Sequence, residues 1–154
     1  MTVTRTPFSY GVACYPEKHD EAPNLESDLM WLKRKVDAGA QYAVTQLFYD
    51  NRRYFDFVAR ARQAGITVPI IPGIKPLKRT AQLSIIPKTF KVDIPQELAE
   101  EVERCTGDDE KVRQVGIEWC VAQCRELMEH GVPSLHFYSV AAEDSIREVA
   151  KQIF

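Results

Sequence analysis

One short pattern occurs three times and limits what this chain can fold into. A helix-like stretch ends in a glycine, and within two or three residues an apolar, β-rich run begins. It appears as Lys35-Val-Asp-Ala-Gly39 before Tyr42-Ala-Val-Thr-Gln-Leu-Phe48, and as Ala61-Arg-Gln-Ala-Gly65 before Val68-Pro-Ile-Ile71. The third copy is Leu127-Met-Glu-His-Gly131 before Ser134-Leu-His-Phe-Tyr138. Glycine just past a helix end enters the left-handed region without a Cβ clash. A fourth run, Phe8 to Tyr15, opens the chain. The runs are mostly non-alternating, the pattern of strands covered on both faces of a parallel sheet.

The segments between these runs are amphipathic. Leu25, Leu29, Leu32 and Val36, and then Tyr54, Phe57, Val58 and Ala61, each form one stripe at a period of 3.6. Asn24 after Pro23 reads as an N-cap. Residues 76–107 break the rhythm with Pro76, Pro87 and Pro95, which predicts an excursion with short helices. A long helix from Glu110 to His130 and a last one from Glu143 follow. The order is β-α-β-α-β-(excursion)-α-β-α over a single domain, 1–154. Such alternation implies an α/β fold with a parallel sheet and helical crossovers. A small open doubly wound sheet and part of a (β/α)8 barrel both satisfy it. A whole barrel takes ~250 residues, so four units in 154 residues make about half of one.

Composition removes several function classes. With 20 basic and 22 acidic residues the net charge is −2, so there is no basic excess for a phosphate backbone and no nucleic-acid partner is expected. No apolar run approaches the ~18 residues of a membrane span. Met1 to Pro7 lack the apolar centre of a secretory signal, which points to the cytoplasm. Four cysteines in a chain of this kind give no reason to expect disulfides. Cys120 and Cys124, four apart on a helix, read either as half of a metal site or as small apolar core residues. No further Cys or His pair with zinc-type spacing completes the set, so no metal is expected.

Ligands of parallel α/β folds bind at the C-terminal ends of the strands. That rule selects Tyr15 to Ala22, Gln46 to Asp50, Pro72 to Pro76 and Tyr138 to Ala142. His19, in a turn with both charge signs, reads as a donor to a phosphate or polar cofactor group, or as part of a solvated loop. Gln46 carries an amide that suits a heterocyclic ring edge, or else caps neighbouring backbone. His136 reads as a satisfied core histidine within the fourth strand. No G-x-G-x-x-G, Walker or G-x-S-x-G sequence is present.

At these segments the chain resembles the methylenetetrahydrofolate reductase family. The resembling stretches are Gly11 to His19 with Glu21-Ala22, Leu32 to Ala40, Thr45 to Asp50, Val68 to Ile74 and His136 to Ser139, all in the family's order. The resemblance implies the second half of a (β/α)8 TIM-type barrel, about four β-α units, and a flavoenzyme of one-carbon metabolism. It implies FAD, NADH or NADPH as reductant, and reduction of 5,10-methylenetetrahydrofolate to 5-methyltetrahydrofolate for methionine supply. It casts Tyr15, His19, Ala22, Asp28, Arg34 and Lys35 as FAD-binding residues, and Gln46 and Gln82 as folate-binding ones. The family's general-acid glutamate lies in the first half of its barrel, outside the matched stretches, so the chain is read as incomplete. The alternatives are a non-catalytic flavin- or folate-binding half-barrel and one half of a split enzyme. Two open strand edges imply homo-oligomerisation or association with the other half. The sequence departs from the family at Ile86, where some members place an aromatic ring. It departs again at Ala141 and Ala142, where many place Asn and a basic residue.

Overall fold

The computed structural model describes residues 8–154, so the opening residues 1–7 read above lie outside it. Four strands, β1 (Gly11–Cys14), β2 (Tyr42–Leu47), β3 (Ile70–Ile74) and β4 (His136–Phe137), form one sheet in the order β1-β2-β3-β4. All three pairings are parallel, with Ala13 opposite Val44, Val44 opposite Ile71, and Gly73 opposite His136. Helices α1 (Leu25–Asp37) and α2 (Asn51–Gln63) make the first two crossovers. Between β3 and β4 come α3 (Gln82–Phe90), α4 (Gln96–Arg104) and the long α5 (Asp109–Glu129), and α6 (Glu143–Ile153) follows β4.

The repeated glycine pattern produces one device three times. Gly39, Gly65 and Gly131 have φ of +115°, +78° and +71°. In each copy the next residue donates back to the carbonyl five positions earlier: Ala40 to Lys35, Ile66 to Ala61, Val132 to Leu127. These are Schellman turns, which satisfy the last helical carbonyls and aim the chain at the next strand. Three of the helix N-termini, those of α1, α2 and α5, are closed by side chains. Asn24 accepts from Ser27 N–H, as its position after Pro23 predicted, while Asp50 and Asp108 cap α2 and α5.

The helices cover one face of the sheet. Ala43, Ile70 and Ile74 point into the main core with Leu29, Leu32, Phe57, Ile117 and Leu127. Cys120 and Cys124 lie in that core as small apolar residues, both fully buried. A second core joins Leu47, Tyr49 and Leu77 to Ile86, Leu98, Val102 and Val112 beneath α3 and α4. Helix α5 crosses the chain after β3 so closely that a Cβ on Gly116 would lie 1.9 Å from the Leu77 carbonyl oxygen.

Several expectations are corrected. The strands are not covered on both faces: β2 alternates, with Tyr42, Val44 and Gln46 on an open side and Ala43, Thr45 and Leu47 buried. Val44 and Ile71 lie on this open side, and an apolar side chain there makes a strand look buried on both faces in sequence. β3 extends through Pro72 and Gly73 to Ile74 rather than ending at Ile71. β4 shrinks to two residues, and β1 starts at Gly11 rather than Phe8. His136 is exposed and packs edge-to-face on Tyr138, so it is not a core histidine. The excursion does hold short helices, α3 and α4, and Pro87 stands within α3.

Candidate functional site at the strand ends

The loop after β1 is held by its own polar groups. Lys18 adopts φ +79°, and its ammonium donates to the carbonyls of His19 (3.0 Å) and Ala22 (2.6 Å). Asp28, in the first turn of α1, accepts from the His19 backbone N–H at 2.9 Å. The His19 ring stands edge-on to Tyr15 with centroids 4.5 Å apart, and its Nδ1 accepts from Glu21 N–H at 3.2 Å. An accepting Nδ1 carries no proton, so in the neutral ring the proton sits on Nε2, leaving a free N–H donor. Tyr15, His19, Ala22 and Asp28 therefore form one rigid unit. Asp28 spends its carboxylate on the loop, and both backbone groups of Ala22 are taken, its N–H by the His19 carbonyl. Burial, then the Asp28 carboxylate, then the Cys14 thiol push the Tyr15 phenol above its ordinary value. Burial and Asp28 push the Cys14 thiol up to about 12, so it is no nucleophile.

Helix α1 carries the next candidates. Lys35 sits two turns below Asp28 and lines a narrow crevice with Cys14, Tyr15 and Asp28. Arg34 lies apart from that unit, its guanidinium 4.8 Å over the exposed Trp31 ring. Among the described residues neither Arg34 nor Lys35 forms an ion pair. Lys35 in this crevice is a cation without an acidic partner among the described residues, which suits the anionic part of a dinucleotide, while Arg34 is not brought into the same group.

At the end of β2 the register shifts between Val44 and Leu47, and Gln46 sits in that irregularity. Its Oε1 accepts from Leu47 N–H at 3.0 Å, so the backbone-capping reading holds for the oxygen. Among the described residues the amide NH2 has no partner, and it lies on the open side, available to a ligand acceptor. Gln82 is committed more fully: its Oε1 accepts from both Lys78 N–H (2.6 Å) and Arg79 N–H (2.9 Å). It shapes the turn before α3. The structure does not bring it into one group with the loop after β1.

Three functional positions were not singled out from sequence. Tyr138 crosses from β4 over Gly73 to donate its phenol to the Thr45 carbonyl at 2.7 Å. A Cβ at Gly73 would lie 2.6 Å from that ring and 2.4 Å from the same carbonyl. Glu17 accepts from Asp93 N–H at 3.0 Å and ties the first loop to the excursion. Its side chain is 9 % exposed, its Oε2 has no partner, and burial raises its pKa to about 6. Lys75, after β3, reaches carbonyls of the loop after β4. None has a local signal, because each acts across 60 or more residues of sequence, as Tyr138 and Thr45 do at a separation of 93.

A parallel sheet with helices on one face is the arrangement of part of a (β/α)8-type barrel, the class in which ligands bind at the strand carboxyl ends. A family profile described as methylenetetrahydrofolate reductase matches residues 4–154, and the chain belongs to that family. It is 42 % identical over 147 residues to a probable methylenetetrahydrofolate reductase (NADPH) of Caenorhabditis elegans, covering 95 % of this chain and 22 % of that protein. It is 40 % identical over 133 residues to the 5,10-methylenetetrahydrofolate reductase of Escherichia coli, covering 86 % and 45 %. An uncharacterised Clostridium thermocellum protein, which binds two copies of 5-methyl-5,6,7,8-tetrahydrofolic acid, shares the fold with a TM-score of 0.60 at 21 % identity. That likeness covers 93 % of this chain and 52 % of the other. The chain thus spans about half or less of the relatives it matches.

Proposed function

We propose that this chain forms the cofactor- and folate-binding half of a methylenetetrahydrofolate reductase that uses FAD and NADH or NADPH. The observation that carries the reading is the Gln46 amide, whose NH2 is left without a partner among the described residues on the open face of the sheet. His19 Nε2–H and Lys35, with Arg34 further along α1, support it as a donor and cations for an anionic cofactor. The names of the relatives support the folate and the nicotinamide reductant. Flavin bound here would relay a hydride from the nicotinamide to the methylene carbon of the folate. The chain's own residues bind and orient. Lys18 and Asp28 fix the loop that presents His19, and Gln46 offers donors to a ring edge.

One observation favours a second reading for the chain by itself, a binding module without turnover. Glu17 is tied to Asp93 N–H, Asp28 to His19 N–H, and Asp50 to Arg52. Asp28 and Asp50 are thus committed as acceptors, and of the three only Glu17, whose buried Oε2 has no partner among the described residues and whose carboxyl is raised to about 6, could carry a proton. The test is to incubate the purified chain with FAD, desalt it, and record the visible spectrum. It is then assayed with 5,10-methylenetetrahydrofolate and reductant. A retained flavin band with methyltetrahydrofolate formed supports the enzyme reading. A retained band without product supports the binding module. A colourless protein that also fails to bind 5-methyltetrahydrofolate sinks both.

A further inference from the structure

The lip between β3 and β4 holds a cation without a counter-ion. Lys75 follows β3 directly, one alternation step beyond Gly73, which places it on the same open side of the sheet as Gln46. Its ammonium donates to the Val140 carbonyl at 2.7 Å and, more weakly, to the Tyr138 carbonyl at 3.4 Å. Lys78 extends its own ammonium to the next carbonyl, Ala141, at 3.4 Å. Two lysines thus grip the loop from Tyr138 to Ala141 that follows the neighbouring strand. Among the described residues neither lysine forms an ion pair. Glu143, at the start of α6, is the acidic group whose charge reaches Lys75. Half-burial holds the ammonium of Lys75 below the usual lysine range.

A half-buried charge satisfied only by carbonyls is costly to keep. Carbonyl oxygens bind an ammonium but do not neutralise it, and two of them leave one of its three N–H groups over. The loop it grips offers no charge of its own, since Ala141 and Ala142 stand where a basic residue would be expected by resemblance. The positive charge at this lip therefore comes from the β3 side alone. It lies on the same open side of the sheet as the Gln46 amide, at the end of the adjacent strand.

We infer that Lys75 is a specificity-determining residue that receives the carboxylate end of a folate whose ring edge meets Gln46. The inference rests on the folate reading above. A folate has one uncharged heterocyclic end and one dicarboxylate end, its glutamate. Gln46 offers neutral donors and Lys75 offers charge, so the two positions divide the molecule between them. The other anion in the proposed function, the FAD diphosphate, has its own unpaired cations in Arg34 and Lys35 on α1, the helix that follows β1 at the opposite edge of the sheet.

The test titrates the full chain, wild type, Lys75→Met and Lys75→Arg, with 5-methyltetrahydrofolate and with the same pterin-aminobenzoate lacking glutamate. A charge-assisted hydrogen bond of this kind is worth about 10-fold in affinity. Lys75→Met is expected to lose that factor on the folate and nothing on the glutamate-free ligand, while Lys75→Arg keeps most of it. Unchanged binding of the glutamate-free ligand also shows that the gripped loop still folds. FAD affinity is expected to be equal in wild type and Lys75→Met. Equal loss on both ligands, no loss on folate, or loss confined to FAD would each overturn the inference while leaving the folate reading standing. If wild type binds neither pterin ligand, the folate reading itself falls and takes this inference with it.

Discussion

Gln46 shows how a single side chain can be both structure and site. Its oxygen closes the irregularity at Leu47 and its NH2 is left over. Gln46→Ala is expected to weaken 5-methyltetrahydrofolate binding by about 10-fold, the worth of a good hydrogen bond set in a partly dry site. The circular-dichroism spectrum should stay unchanged, and titration calorimetry checks the affinity. Glu17 makes a pH prediction. Burial raises its carboxyl from 4.5 to about 6, so the folded chain holds that proton more tightly than the unfolded one. Its favourable contribution is therefore complete below pH 4.5 and is lost as pH rises through about 6. The whole effect is at most about 2 kcal/mol. Glu17→Gln keeps an acceptor for Asp93 N–H and should flatten this part of the stability–pH curve measured by urea unfolding between pH 4.5 and 8. A slope unchanged by the substitution would reject the assignment.

Among the elements, helix α5 is placed by contact with backbone, not by its apolar stripe alone. Gly116 faces the Leu77 carbonyl where the chain turns from β3 into the excursion. Neither the carbonyl nor the helix axis can retreat as a side chain would. Gly116→Ala should therefore cost about 3 kcal/mol, the upper end for overpacking a tight contact. The midpoint of chemical denaturation should fall, because both hydrophobic cores meet α5. A stability within about 0.5 kcal/mol of wild type, the usual surface range, would show that α5 packs differently. The same element-level logic explains the strand boundaries. Pro72 and Gly73 look like a turn in sequence, yet they continue β3, because Gly73 must lie beneath the Tyr138 ring and donate its N–H to Thr45 Oγ1 at 2.8 Å.

For the whole molecule, the sheet decides behaviour in solution. One face is packed under helices, while Ala13, Tyr42 and His136 are exposed on the other and β1 and β4 each have a free edge among the described residues. Unpaired parallel edges and an uncovered face favour association. Light scattering across the micromolar range is expected to find species larger than one chain. A concentration-independent monomer would count against the expected oligomer. No helix among the described residues is long and apolar enough to cross a membrane.

The sequence by itself determined the element order, the parallel α/β class, the three Schellman turns and the Asn24 cap, because each depends on residues a few positions apart. Periodicity, capping and left-handed glycines are local physics, and a single chain displays them directly. It also indicated the strand-end loops, since the carboxyl ends of parallel strands are where such folds bind ligands. Only the tertiary structure decided which face of the sheet stays open, because an apolar residue on a barrel's inner wall looks the same in sequence as one under a helix. Only the fold could show that the Gln82 and Gln46 amide oxygens and one Asp28 carboxylate oxygen are spent on neighbouring backbone. Tyr138 over Gly73, Glu17 on Asp93 and Lys75 on the β4 loop are pairings between distant segments. Distance in sequence erases their signal, and they exist because folding brings the ends of four strands to one rim.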